Sequence, residues 1–96
     1  MKNLKDTTAQ MVSEDYKERF KAEYHQTRIR WEKLKNFCNR IEAADCVNDK
    51  SIVREPEHDC PLWVLRNQQE QMGHYLSVLE LRAIIEHVDL NGEEEA

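Results

Sequence analysis

Glycine and proline are scarce in this chain, at two of each in 96 residues. Two glycines cannot build a Gly-rich phosphate cradle, so P-loop and dinucleotide-binding fingerprints are excluded. Few breakers also speak against a many-turned β-sandwich. No run of about 18 apolar residues is present, which excludes a membrane-spanning helix. No basic-then-apolar stretch opens the sequence, so no secretory signal is expected. Cysteine is limited to Cys38, Cys46 and Cys60. An odd, small number fits free thiols in a reducing compartment better than a disulfide framework. The four histidines, His25, His58, His74 and His87, sit in no G-x-S-x-G, H-E-x-x-H or H-x-E…C-x-x-C context. No catalytic signature is legible, and no enzyme is expected.

Charge is plentiful but unevenly placed. Residues 1–40 carry ten Lys/Arg against six Asp/Glu, while residues 41–96 carry four against thirteen. A plain reading is two helices of opposite sign that attract one another. A sharper reading is that the basic half holds an anionic ligand. The net charge of −5 argues against long duplex nucleic acid, which demands a wide basic face. It leaves room for a small nucleotide in a local basic pocket.

Helical periodicity dominates what remains. Tyr16 and Phe20 lead into Tyr24, Thr27, Trp31, Leu34, Cys38 and Ile41, which alternate three and four apart, with Phe37 beside them. That is a heptad seam for a partner helix. Thr27 is its weak tooth, either near a bend or kept small for a ligand. Leu62, Leu65, Met72, Leu76, Leu79 and Ala83 form the matching stripe on a second helix. A further row, Val78, Leu81, Ile85 and Val88, lies on another face of that helix. One amphipathic helix needs a single stripe, so the second row calls for another partner, most simply another copy of the chain.

The expected fold is therefore all-α: a long antiparallel two-helix hairpin, with room for a short N-terminal helix, assembled into a homo-oligomeric helical bundle. Residues 1–12 form an arm, 13–90 the hairpin and 91–96 an acidic tail. The helices are expected at about 13–43 and 61–89. Ser13, with Glu14 and Asp15 behind it, suits the first N-cap. Asp59 or Cys60 suits the second, with Pro61 in the first turn. Asn91-Gly92 suits the final stop. The loop 44–60 carries turn chemistry at Asn48-Asp49 and Glu55-Pro56, with Ile52 and Val53 placed to pin it.

Three constellations bear on function. Cys38, Cys46, His58 and Cys60 are conceivable zinc ligands, but their spacing lacks the compact C-x2-C pairs of known fingers; reduced thiols are the simpler reading. Tyr24, Arg28, Arg30, Trp31 and Lys33 crowd two turns of the first helix, and Arg66, Gln68, Tyr75 and Arg82 lie along the second. Rings beside guanidinium groups are what stacking a purine and pairing its phosphate require. Tyr24 and Trp31 fall on the seam, where a place in the core is the simpler reading. Arg82, between Leu79 and Ile85, requires an anionic partner: a carboxylate of another subunit or a ligand phosphate.

Two segments carry a family resemblance. Residues 23–37, EYHQTRIRWEKLKNF, resemble an E-Y-x-x-L-x-x-R-I-x-K-L-x-x-F pattern. Residues 64–83, VLRNQQEQMGHYLSVLELRA, resemble L-L-x-x-Q-L-x-x-M-x-x-Y-x-x-I-L-x-x-R-I. Both patterns belong to short helical-hairpin proteins of crAss-like and other phages and prophages. The departures are Thr27, Trp31, Gln69 and Ala83. That family is similar in architecture to oligomeric phage anti-defence sponges, which sequester the nucleotide signals of CBASS and Thoeris systems. The resemblance implies a ligand set of Tyr24, Arg30, Lys33, Gln68, Tyr75 and Arg82, in pockets between subunits. It implies a nucleotide second messenger (a cyclic oligonucleotide or ADP-ribose derivative) bound without cleavage, no cofactor, and a place in the cytoplasm of a bacterial host. The alternative is a phage protein-interaction module acting through a coiled-coil face.

Overall fold

The computed structural model describes residues 15–49 and 51–91. The expected arm at 1–12, residues 13–14, Lys50 and residues 92–96 lie outside that range. Among the described residues there are two helices and no strand. They are α1 (Tyr16–Cys46) and α2 (Leu62–Ile85).

α1 starts where a side chain satisfies its first free N–H groups. Asp15 is the N-cap, and its carboxylate accepts from the Lys17 N–H at 2.9 Å. The cap is thus Asp15 rather than Ser13. The helix runs unbroken through Thr27, which is buried, and continues three residues past the expected end at 43. Glu42 to Cys46 holds no breaker, so nothing stops the helix before Asn48-Asp49. There Asp49 closes a turn, accepting from both the N–H and the hydroxyl of Ser51 at 2.9 and 2.7 Å.

α2 departs from expectation at both ends. Pro61 itself occupies the N-cap in an extended conformation, and no side chain caps the helix. Its carbonyl accepts from Val64 and Leu65. The helix then ends at Ile85, four residues before the expected limit, through a Schellman arrangement. Val88 N–H reaches the Ala83 carbonyl at 2.8 Å and His87 N–H reaches that of Ile84 at 3.4 Å. His87 takes the left-handed conformation, φ 59°, where glycine is the usual occupant. Val88 then folds back into the core beside Ala83. Its expected place on the outer row was wrong, because the chain has already left the helix there.

The two helices lie against one another as an antiparallel hairpin, so contacts pair early α1 with late α2. Phe20, Tyr24, Leu76, Leu79, Ala83 and Val88 form the core cluster, with Trp31 and Leu90 packed against it. Thr27, Cys38 and Ile41 complete the buried positions of the expected seam, and Leu34 is half-buried. Each fully buried Leu, Ile or Phe contributes roughly 1.5–3 kcal/mol. In the loop, Ile52 is 70% exposed and does not pin it. His58 does: its ring sits edge-on to Phe37, Nδ1 meets the Cys60 carbonyl at 2.8 Å and Nε2 meets the Glu55 carboxylate at 3.0 Å.

A candidate ligand groove between the helices

A hairpin of two packed helices has two flanks, and residues seven apart stay on one flank. On the first flank run Tyr16, Glu23 and Arg30 of α1 and Gln68, Tyr75 and Arg82 of α2. Four of the six expected ligand residues are therefore brought to one side. Most of this flank is closed by its own partners. The Tyr75 hydroxyl donates to Glu23, and that of Tyr16 donates to Glu86 at 3.0 Å. Both phenols are held above the ordinary tyrosine range, first by those bonds to carboxylates. Arg82 meets Glu86 of its own helix at 2.7 Å and lies 4.9 Å from the centre of the Phe20 ring. Within the hairpin the anion it meets is a carboxylate one turn on. The Glu86 carboxyl is held below the usual range, foremost by the hydrogen bond from Arg82. Gln68 is exposed, with its amide toward Met72.

The remaining expected residues separate. Tyr24 is 3% exposed, so it offers no ring face to a base. Its hydroxyl donates to Glu80 at 2.6 Å and accepts from Arg28 at 3.3 Å. Burial first, and then the Glu80 carboxylate, push its phenol up. Lys33 comes nine residues after Tyr24, about half a turn from the seam at roughly 100° per residue. It is exposed on the outer side of α1. Arg30 is exposed as well, and neither cation has an ion-pair partner among the described residues.

Each flank holds a cleft: on the first, one of about 350 Å³ is lined by Tyr16, Arg19, Phe20 and Glu23; the second flank holds two. A volume of about 310 Å³ is lined by Tyr24, Arg28, Trp31, Gly73, Leu76, Ser77 and Glu80. A neighbouring cleft of about 350 Å³ shares Tyr24, Arg28 and Glu80 and continues to Ile84 and Asn91. Gly73 explains the opening. A Cβ built there would come within 3.3 Å of the Trp31 indole nitrogen. The indole lies against bare backbone, and a glycine inside a helix, otherwise costing about 1 kcal/mol against alanine, allows that approach. Lys21, Arg28 and Lys35, seven apart, line this flank of α1. Lys21 pairs with Glu18 and Arg28 with Glu32, each at 3.5 Å, and the Lys35 ammonium sits 4.7 Å above the Trp31 ring. The lining thus sets an indole and two cations beside the carboxylates of Glu80 and Glu32. Arg28 and Trp31 belong to the crowded set seen in the sequence but not to the expected ligand set. The usable signal for them was Gly73, an uncapped mid-helix glycine that marks a close approach.

The conceivable zinc set does not assemble. Among the described residues no three His, Cys, Asp or Glu side chains are grouped to hold a metal. Cys38 is buried in the seam, Cys46 is exposed, Cys60 is half-buried, and all three are free thiols. Both His58 nitrogens are occupied within the loop. Among the described residues no helix is long and apolar enough to cross a membrane.

A family model described as Sequestin matches residues 14–85. That span runs from one residue before the α1 cap to the last residue of α2 and contains both flanks. The chain belongs to the Sequestin family. No curated protein and no solved structure matches it. The matched stretch takes in the whole described hairpin of this Sequestin up to the end of α2, including the Gly73–Trp31 contact and the cations around it. The family name denotes sequestration, in keeping with a protein that holds a molecule.

Proposed function

We propose that this Sequestin is a phage anti-defence protein that binds a nucleotide immune signal, a cyclic oligonucleotide or an ADP-ribose derivative, and sequesters it uncleaved in the cytoplasm of a bacterial host. The observation that carries this reading is the groove in which Trp31 lies between Gly73 and Lys35 with Arg28 beside it, in a chain of a sequestering family. Trp31 supplies the surface for a base, and Arg28 and Lys35 supply the charge for its phosphates. The exposed, unpaired Arg30 and Lys33 add positive potential on α1. Ser77, whose hydroxyl donates to the Gly73 carbonyl at 3.2 Å, keeps lone pairs free at the rim.

The test is native mass spectrometry with a panel of cyclic di- and trinucleotides and ADP-ribose derivatives, repeated on Arg28→Ala and Trp31→Ala. Stacking of a base on an aromatic ring contributes about 1–3 kcal/mol, so Trp31→Ala should weaken binding by roughly five- to 150-fold; a hydrogen bond to a charged group contributes about 1.5–3 kcal/mol, so Arg28→Ala should weaken it by roughly ten- to 150-fold, with helicity unchanged in both. Ligand released with a changed mass would contradict sequestration. Full affinity in both variants would move the site to the Tyr75–Arg82 flank. A second reading, a protein-binding inhibitor, is favoured by the exposed aliphatic face of α2; retention of no nucleotide, with one stoichiometric protein partner, would select it.

A further inference from the structure

We infer, as a consequence that rests on the nucleotide reading above, that Glu80 selects the base: the groove takes a guanine nucleotide in preference to one of adenine, cytosine or uracil. Glu80 lines both adjoining clefts of the second flank, together with Tyr24 and Arg28. A wall built only for phosphate gains nothing from an acid there, because like charges repel. What a carboxylate binds well is N–H donors.

The acid is anchored by one bond and left with capacity for more. Glu80 Oε2 accepts from the Tyr24 hydroxyl at 2.6 Å, and Tyr24 is buried in the core. Arg28 shares the wall but pairs with Glu32 at 3.5 Å and donates to the Tyr24 hydroxyl at 3.3 Å. Among the described residues Glu80 Oε1 has no partner. An ionised carboxylate offers about four acceptor sites, so most of them face the cleft unused.

Position along the groove puts this acid at the edge of a base. Trp31, Arg28 and Tyr24 step along α1 by three and four residues, as Gly73, Ser77 and Glu80 do along α2. Antiparallel packing sets Trp31 by Gly73 at one end and Tyr24 by Glu80 at the other. Seven residues of helix separate the ends, about 10 Å, the length of a base plus one hydrogen bond. A base beside the indole therefore points its far edge at Glu80. Guanine alone presents two adjacent donors on that edge, N1–H and the N2 amino group, which a carboxylate accepts as a parallel pair. Adenine and cytosine set a ring-nitrogen acceptor beside their amino group, which opposes the second oxygen. Uracil has a single N–H between two carbonyls. A site that hydrogen-bonds an N–H rejects strongly the analogue that lacks it.

The test is titration calorimetry of the full chain with cyclic di-GMP, cyclic di-AMP and cyclic di-UMP, on wild type and Glu80→Gln. Wild type should bind cyclic di-GMP roughly ten-fold or more tightly than the other two. Glu80→Gln keeps an oxygen for the Tyr24 hydroxyl but loses the paired acceptor and the charge. It should cut affinity for cyclic di-GMP by roughly ten-fold or more and leave the other two nearly unchanged. A merely structural role for Glu80 would lower all three together, which overturns the inference. The wild-type ranking needs no variant, so it decides the matter even if Glu80→Gln unfolds. Equal binding of the three, a guanine preference that survives Glu80→Gln, or an ADP-ribose derivative held more tightly than cyclic di-GMP overturns this inference alone. No binding of any of these nucleotides overturns the nucleotide reading with it.

Discussion

His87 is the one non-glycine residue held in the left-handed region among those described. A Cβ in that conformation costs roughly 1–2 kcal/mol, and glycine removes it while adding back roughly 0.5–1 kcal/mol of unfolded-chain entropy. The His87 side chain is exposed and makes no hydrogen bond, ion pair or ring contact among the described residues, so replacing it loses none of these. His87→Gly is therefore expected to stabilise the hairpin by about 0.5–1 kcal/mol. That is a rise of a few degrees in Tm for a domain of this size, measurable by thermal denaturation. A fall in Tm would mean that the Schellman turn is not held in solution. The same residue shows what single positions conceal from sequence reading. Nothing in the string Glu86-His87-Val88 announces a helix end, while Asn91-Gly92 does so loudly. The backbone used the quieter site because stopping there returns Val88 to the core. Tyr24 teaches the converse: its place on the seam was readable, and a seam residue at 3% exposure has no face left for a ligand.

Among the elements, the helices themselves were legible because three-four spacing leaves little choice. Phe20, Tyr24, Cys38, Ile41, Leu76, Leu79 and Ala83 all lie where their period put them. The rows that flank the seam were legible only as rows. Spacing of four pairs Arg82 with Glu86 in the sequence already, but spacing of seven, which collects Gln68, Tyr75 and Arg82, does not say that Tyr75 will reach across to Glu23. The loop carries a prediction that periodicity could not supply. The His58 ring faces two acceptors, the Cys60 carbonyl and the Glu55 carboxylate. A neutral imidazole donates from one nitrogen only, so the pair is fully satisfied by the cation. Its pKa is raised, foremost by the Cys60 carbonyl and next by Glu55. A raised folded-state pKa contributes stability that is complete below the unfolded value of about 6.5 and is lost as pH rises through the folded value. The loop should therefore loosen as pH climbs from 6 toward 8. Amide exchange of residues 55–60, corrected for intrinsic rate, should increase over that window. Glu55→Gln should lower the His58 pKa in an NMR titration. A His58 pKa at or below the ordinary value would refute the clamp.

For the whole molecule, the uneven charge has two possible consequences, and the pairing pattern separates them. If opposite signs held the helices together, ion pairs would cross between them. Among the described residues only Arg66–Glu42, at 3.4 Å, crosses between Lys or Arg and a carboxylate. The other polar links across the hairpin are the neutral tyrosine hydroxyls on Glu86, Glu80 and Glu23, Arg66 on the Asn39 amide oxygen at 2.9 Å, and Lys17 on the His87 carbonyl at 3.5 Å, while Lys21, Arg28 and Arg82 have their ion pairs one turn along the same helix. Exposed pairs of this kind contribute about 0–1 kcal/mol each and are screened by salt. The fold thus rests on the apolar seam, and the excess positive charge of α1 remains available to a ligand. Raising NaCl from about 0.05 to 0.5 M shortens the screening length from more than 10 Å to less than 8 Å. The hairpin Tm should move by no more than two or three degrees, whereas affinity for a nucleotide bearing two or three phosphates should fall about ten-fold or more, linearly in log–log form. Differential scanning fluorimetry and titration calorimetry on the same samples read both. A Tm that collapses with salt would show that charge pairing across the helices is structural after all. An affinity indifferent to salt would remove Arg28 and Lys35 from contact with the phosphates.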